Sequence, residues 1–99
     1  MGTIPFLSQV EPENRRYMGA FIRYLRQRIF MTQTELSLET GYSVQTISRI
    51  ENGKANAMSV AGRDILTALG ALHGMEGVDM FDAYREFMCG EQIIESPLQ

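Results

Sequence analysis

Apolar residues recur at spacings of three and four through most of the chain, and polar capping residues and glycines divide that rhythm into separate segments. Met18, Phe21, Ile22, Leu25 and Ile29 fall on one face of a helix, with Arg16, Arg23 and Arg28 directed elsewhere. This first helix is expected to end near Phe30. Thr32 followed by Glu35 is a capping box, which starts a second helix at Gln33 and carries it to about Thr40, where Gly41 supplies a left-handed stop. Ser43 is a fresh N-cap, Ile47 and Ile50 lie one turn apart, and Gly53 closes a third helix after Asn52. Ser59 caps a fourth helix reaching Leu69, with Ile65, Leu66 and Leu69 inward and Gly62 as a weak point. Beyond a glycine-bearing connection from Gly70 to Gly77, a fifth helix starts near Asp79, carries the stripe Met80, Phe81, Tyr84, Phe87 and Met88, and stops at Gly90. The expected fold is all-α, a compact bundle of about five helices. Residues 1–13 form an extension punctuated by Pro5 and Pro12, residues 14–89 the domain, and residues 90–99 an acidic tail.

The chain has 99 residues, 44% of them hydrophobic, which suits one small domain with a modest core. A domain of that size gains from burying further apolar surface on a partner, so homodimerisation is expected. The single cysteine, Cys89, closes no internal disulfide, and with one histidine, His73, it makes no usual zinc site; no metal and no cofactor are expected. His73, in a glycine-flanked connection, reads as a surface residue. The apolar patch Ile4, Phe6 and Leu7 lacks a basic leader and is too short for a signal peptide or a membrane span, so a soluble cytoplasmic protein is expected.

A net charge of −3 argues at first against a nucleic-acid binder. The distribution reverses that inference. Residues 15–63 hold eight basic and three acidic side chains, whereas residues 64–99 hold one basic and seven acidic ones. A basic body flanked by acidic ends presents a local footprint for phosphate.

Two short helices joined by a tight glycine-containing turn have the geometry of a helix-turn-helix. The run Met31-Thr32-Gln33-Thr34-Glu35-Leu36, then Gly41-Tyr42-Ser43, then Thr46-Ile47-Ser48-Arg49-Ile50-Glu51-Asn52-Gly53-Lys54 resembles the phage repressor and Cro-like (XRE) family, over about Arg23 to Leu69. Ser37, Tyr42 and Ala57-Met58 depart from that family's usual small or prolyl residues. The resemblance implies a lambda-repressor-like helix-turn-helix that binds double-stranded DNA.

In such a motif the second helix enters the major groove by its N-terminal end. With Ile47 and Ile50 inward, Val44, Gln45, Ser48 and Arg49 are the candidate base contacts: Gln pairs with adenine, Arg with guanine, and Val touches a thymine methyl. The resemblance implies phosphate contacts from Gln33, Thr46, Asn52 and Lys54. For Gln33 there is also a physical reason, because the first turn of a helix presents free N–H groups and a positive dipole. The resemblance further implies a partly buried ion pair between Arg26 and Glu51, which orients the helices more than it stabilises them.

The first four helices are expected to close a core by themselves. Phe81, Tyr84, Phe87 and Met88 then become candidates for a dimer interface, with simple capping of the domain as the alternative. The exposed Leu38 is a candidate to be covered by the Ile4, Phe6 and Leu7 patch. The leading functional expectation is a dimeric repressor of an inverted-repeat operator. The alternatives are an antitoxin that autoregulates its promoter while holding a toxin, and a protein-binding antiactivator on the same fold. No nucleophile–base pair, phosphate loop or metal spacing points to an enzyme.

Overall fold

Each helix end is decided by a few residues whose side chains or backbone angles satisfy the terminal N–H and C=O groups. The computed structural model describes residues 16–74 and 77–95. They form α1 (Met18–Arg28), α2 (Gln33–Thr40), α3 (Val44–Glu51), α4 (Val60–Leu72) and α5 (Gly77–Glu95), with no strand among the described residues. The N-terminal extension, with its Ile4, Phe6 and Leu7 patch, lies outside the described residues, as do residues 96–99 of the tail.

The capping box of α2 is complete: Glu35 N donates to Thr32 Oγ1 at 3.1 Å and Thr32 N donates to Glu35 Oε1 at 2.8 Å. Ser43 Oγ accepts from Thr46 N at 3.1 Å at the start of α3, and Ser59 Oγ accepts from Gly62 N at 3.3 Å at the start of α4. Gly41 and Gly53 follow α2 and α3 at φ 82° and 76°. The end of α1 departs from this use of glycine. Phe30 N donates to Gln27 O and Met31 N to Arg26 O, a Schellman closure that places Phe30 at φ 57° and leaves the residue 93% exposed.

Three boundaries differ from the sequence expectation. The helix α4 passes Gly70 and runs to Leu72; Gly70 is buried within it, with the end of the Met80 side chain close by, 2.6 Å from where a Cβ would lie. The helix α5 starts at Gly77 and passes Gly90 to reach Glu95, so residues 90–95 are helical instead of part of an irregular tail. One interior glycine costs about 1 kcal/mol relative to alanine, which is too little to end a long helix alone. Gly62 is more than a weak point. A Cβ on it would meet the Ala57 carbonyl oxygen at 1.9 Å, so the α3–α4 loop lies directly on the α4 backbone there.

The core gathers Met18, Phe21, Ile22 and Leu25 of α1, Leu36 of α2, Ile47 and Ile50 of α3, and Ile65, Leu66 and Leu69 of α4. It does not close with four helices. Phe21 and Tyr24 leave an aromatic face on α1, and α5 covers it. The Tyr84 ring meets Phe21 edge-on with centroids 5.4 Å apart, and the Phe87 ring lies 5.5 Å from Phe21 and 5.2 Å from Tyr24. Tyr84 and Phe87 are each 5% exposed, so the structure corrects their placement in a dimer interface: they are core of the protomer. Phe81 and Met88 are half-buried beside them.

Phe30 and Gly62 make a prediction of opposite signs. Phe30→Gly removes a left-handed strain of about 1 kcal/mol without losing a buried ring, and raises the melting temperature. Gly62→Ala has the better helix propensity yet lowers the melting temperature, because its methyl group displaces the Ala57 carbonyl. Thermal melts followed by circular dichroism read both signs.

Candidate nucleic-acid interface

The outer face of α3 is available because its inner face is held against two other helices. Ile47 and Ile50 are buried, whereas Val44, Gln45 and Arg49 are exposed and Thr46 and Ser48 half-buried. Between α1 and α3 there is no room for a side chain at Gly19, whose Cβ would sit 2.0 Å from the Ile50 carbonyl oxygen. The two backbones therefore touch next to the residue that ends α3, Glu51.

The Glu51 side chain has no exposed surface. Its carboxylate takes a two-pronged bond from Arg26, Nε to Oε2 at 2.7 Å and Nη2 to Oε1 at 2.9 Å. Arg26 also donates Nη1 to the Met31 carbonyl at 2.8 Å, across the α1–α2 turn. From α2, Gln33 donates Nε2 to Glu51 Oε1 at 3.0 Å, and from α1, Arg23 approaches Oε1 at 3.6 Å. One carboxylate thus ties α1, α2 and α3 together, and each donor has a fixed direction.

The candidate contact residues sit around this hub. Gln45 and Val44 project from the first turn of α3 without an intramolecular role for the Gln45 amide among the described residues. Arg49 lies in the last turn, and its Nη2 donates to the Lys54 carbonyl at 3.2 Å. Ser48 Oγ accepts from Asn52 Nδ2 at 3.2 Å, and Asn52 Oδ1 accepts from Arg23. Thr46 belongs to the N-cap of α3, its hydroxyl oxygen accepting from Ser43 Oγ at 3.0 Å. Lys54 is exposed and lines one cleft with Arg16, between the start of α1 and the loop after α3. Gln33 is half-buried, with one N–H engaged by Glu51.

Sequence reasoning missed three supporting contacts. Periodicity directs Arg23 away from the core as an outward charge, yet it closes on the α3 terminus, a pairing that no local pattern signals. Tyr42 Oη donates to Asp64 Oδ2 at 2.6 Å and ties the α2–α3 turn to α4. That hydrogen bond raises the Tyr42 hydroxyl above its ordinary range, with burial and the nearby negative charge acting in the same direction. His73 is half-buried instead of a plain surface residue: its Nε2 lies 2.7 Å from the Leu25 carbonyl oxygen. A carbonyl only accepts, so Nε2 carries the proton and satisfies one of the carbonyls left open at the end of α1.

Two short helices in this arrangement, α2 braced behind and α3 presenting an exposed polar face, define a helix-turn-helix protein. Residues 22–70 match the family model described as Helix-turn-helix, and through this segment the chain belongs to the XRE-type, Cro/C1-like family. That is a family of DNA-binding transcription regulators. No curated protein and no solved structure matches the chain. Among the described residues no group of His, Cys, Asp and Glu side chains is placed to hold a metal ion, and no helix is long and apolar enough to cross a membrane.

The hub sets a stability prediction. Arg26→Ala leaves a fully buried carboxylate with its main cation removed and costs about 3 kcal/mol. Removal of the exposed Arg16 costs a few tenths of a kcal/mol at most. Urea melts of the two variants are expected to differ by that margin, and equal midpoints would reduce Arg26 to a surface charge.

Proposed function

We propose that the protein is a dimeric repressor that recognises an inverted-repeat operator with the N-terminal half of α3 in the major groove. The observation that carries this reading is the division of α3: an exposed Gln45 in its first turn, and a back fixed by the buried Arg26–Glu51 pair. A reading helix has to be held rigidly while its outer side chains stay open to base edges, and α3 meets both conditions.

In the proposed complex Gln45 pairs with adenine through its amide, Val44 meets a thymine methyl, and Ser48 and Arg49 reach the next bases. Arg49 has five N–H donors, so the bond from Nη2 to Lys54 leaves its guanidinium able to face guanine. Gln33, Thr46, Asn52 and Lys54 are the proposed phosphate contacts, which set position and carry no sequence information. One helix of this length reads a few base pairs, so a pair of domains is needed for useful specificity. With Tyr84 and Phe87 committed to the core, Phe81 and Met88 remain as the proposed part of α5 at the dimer contact.

The test is binding to duplexes selected from a randomised library, measured by fluorescence anisotropy at several salt concentrations. Gln45→Ala is expected to cost about 1–3 kcal/mol on the selected sequence and to relax preference at one position. Lys54→Ala is expected to weaken all sequences alike and to flatten the salt dependence by about one unit of slope. Unchanged base preference in Gln45→Ala would remove that side chain from the reading surface.

A further inference from the structure

Asn52 lies just beyond α3, and its side-chain amide is bonded at both ends. Arg23 Nη2 donates to Asn52 Oδ1, and Asn52 Nδ2 donates to Ser48 Oγ at 3.2 Å. Arg23 is itself anchored: its Nε lies 3.6 Å from the Glu51 carboxylate and its Nη2 donates to the Glu51 carbonyl at 3.5 Å. The directions of these bonds follow from chemistry. A guanidinium has no acceptor, so the amide has to turn its oxygen toward Arg23. Its NH₂ end then faces Ser48 and has nothing to accept with, so the Ser48 oxygen is the acceptor. That occupies one lone pair of Ser48 and turns its proton away from Asn52. Among the described residues the Ser48 proton has no hydrogen-bond partner, and residue 48 shares the outer face of α3 with Val44, Gln45 and Arg49.

We propose that Arg23 is a positioning residue for DNA recognition: acting through Asn52, it sets Ser48 as a hydrogen-bond donor toward the base it meets. Such a hydroxyl favours an edge with an acceptor, a purine N7, guanine O6 or thymine O4, and disfavours the amino group of cytosine. Arg23 lies on α1, touches no base, and still shapes specificity at one position. The inference rests on the proposed reading of DNA by α3.

The test uses the full chain and selection from a randomised duplex library, with sequencing of the bound fraction. Wild type is expected to disfavour cytosine about fivefold at the position that Ser48→Ala relaxes, the discrimination of one net hydrogen bond. Arg23→Met is expected to bring that discrimination within about twofold at the same position and to leave the other positions unchanged. Asn52→Asp provides the second route, since it keeps an oxygen toward Arg23 but has no N–H for Ser48; it is expected to relax the same position even where Arg23→Met folds poorly. Arg16→Met, which removes a cation just before α1 and outside the relay, is expected to lower affinity without altering preference. In NMR spectra the Asn52 side-chain NH₂ signals are expected to move in Arg23→Met while the backbone amides of α3 keep their positions. If wild type has clear preferences and both Arg23→Met and Asn52→Asp leave them intact, the relay is overturned and the DNA reading stands. If wild type enriches no sequence, the DNA reading is overturned and the relay falls with it.

Discussion

A carboxylate with no exposed surface governs this small domain. Removing Glu51 from water is costly, and the cost is offset only if every direction of its charge is met by a donor of fixed geometry. Arg26, Gln33 and Arg23 meet it from two different helices. The arrangement leaves little freedom in how α3 lies on α1 and α2, because a shift of an ångström would lengthen several charge-assisted bonds at once. Hydrophobic burial of Ile47 and Ile50 holds α3 against the core without fixing its rotation to that degree.

The proposed function follows from what this hub leaves exposed. Gly19 lets the α1 and α3 backbones touch, Glu51 locks the end of α3, and Tyr42 ties the preceding turn to Asp64 on α4. Both ends of α3 are thereby held by contacts on its inner side, and the side chains of its outer face remain available to a ligand. The basic residues cluster in the same part of the chain, residues 15–63, while the acidic residues are concentrated after it. In the proposed complex that separation steers an anionic duplex toward the basic part of the chain, which includes α3.

Much of this was legible in the sequence wherever the signal is local. Thr32 with Glu35, Ser43, Ser59, Gly41 and Gly53 are punctuation that acts within one turn, and the helices they bound are found where they predict. The resemblance to the XRE family led to the same segment that the family model matches. Features that depend on two distant elements meeting were not legible. Gly62 and Gly70 read as weak or breaking positions because the sequence carries no sign of the Ala57 carbonyl or the Met80 side chain that press on them. Periodicity identified the apolar stripe of α5 and could not say whether Phe21 and Tyr24 or a second protomer would cover it. The contacts of Arg23 and His73 have no local signal for the same reason, since each bonds a backbone or side-chain oxygen remote in sequence.

The central claim is that Arg26 and Glu51 act as one unit in fixing α3. A double-mutant cycle measures this directly, with urea melts of Arg26→Ala, Glu51→Ala and the double variant compared with wild type. The account predicts strong non-additivity, a coupling energy of about 2 kcal/mol, with the double variant little worse than either single one. Losses that add within about 0.5 kcal/mol would show that the two residues act independently, and would contradict the account.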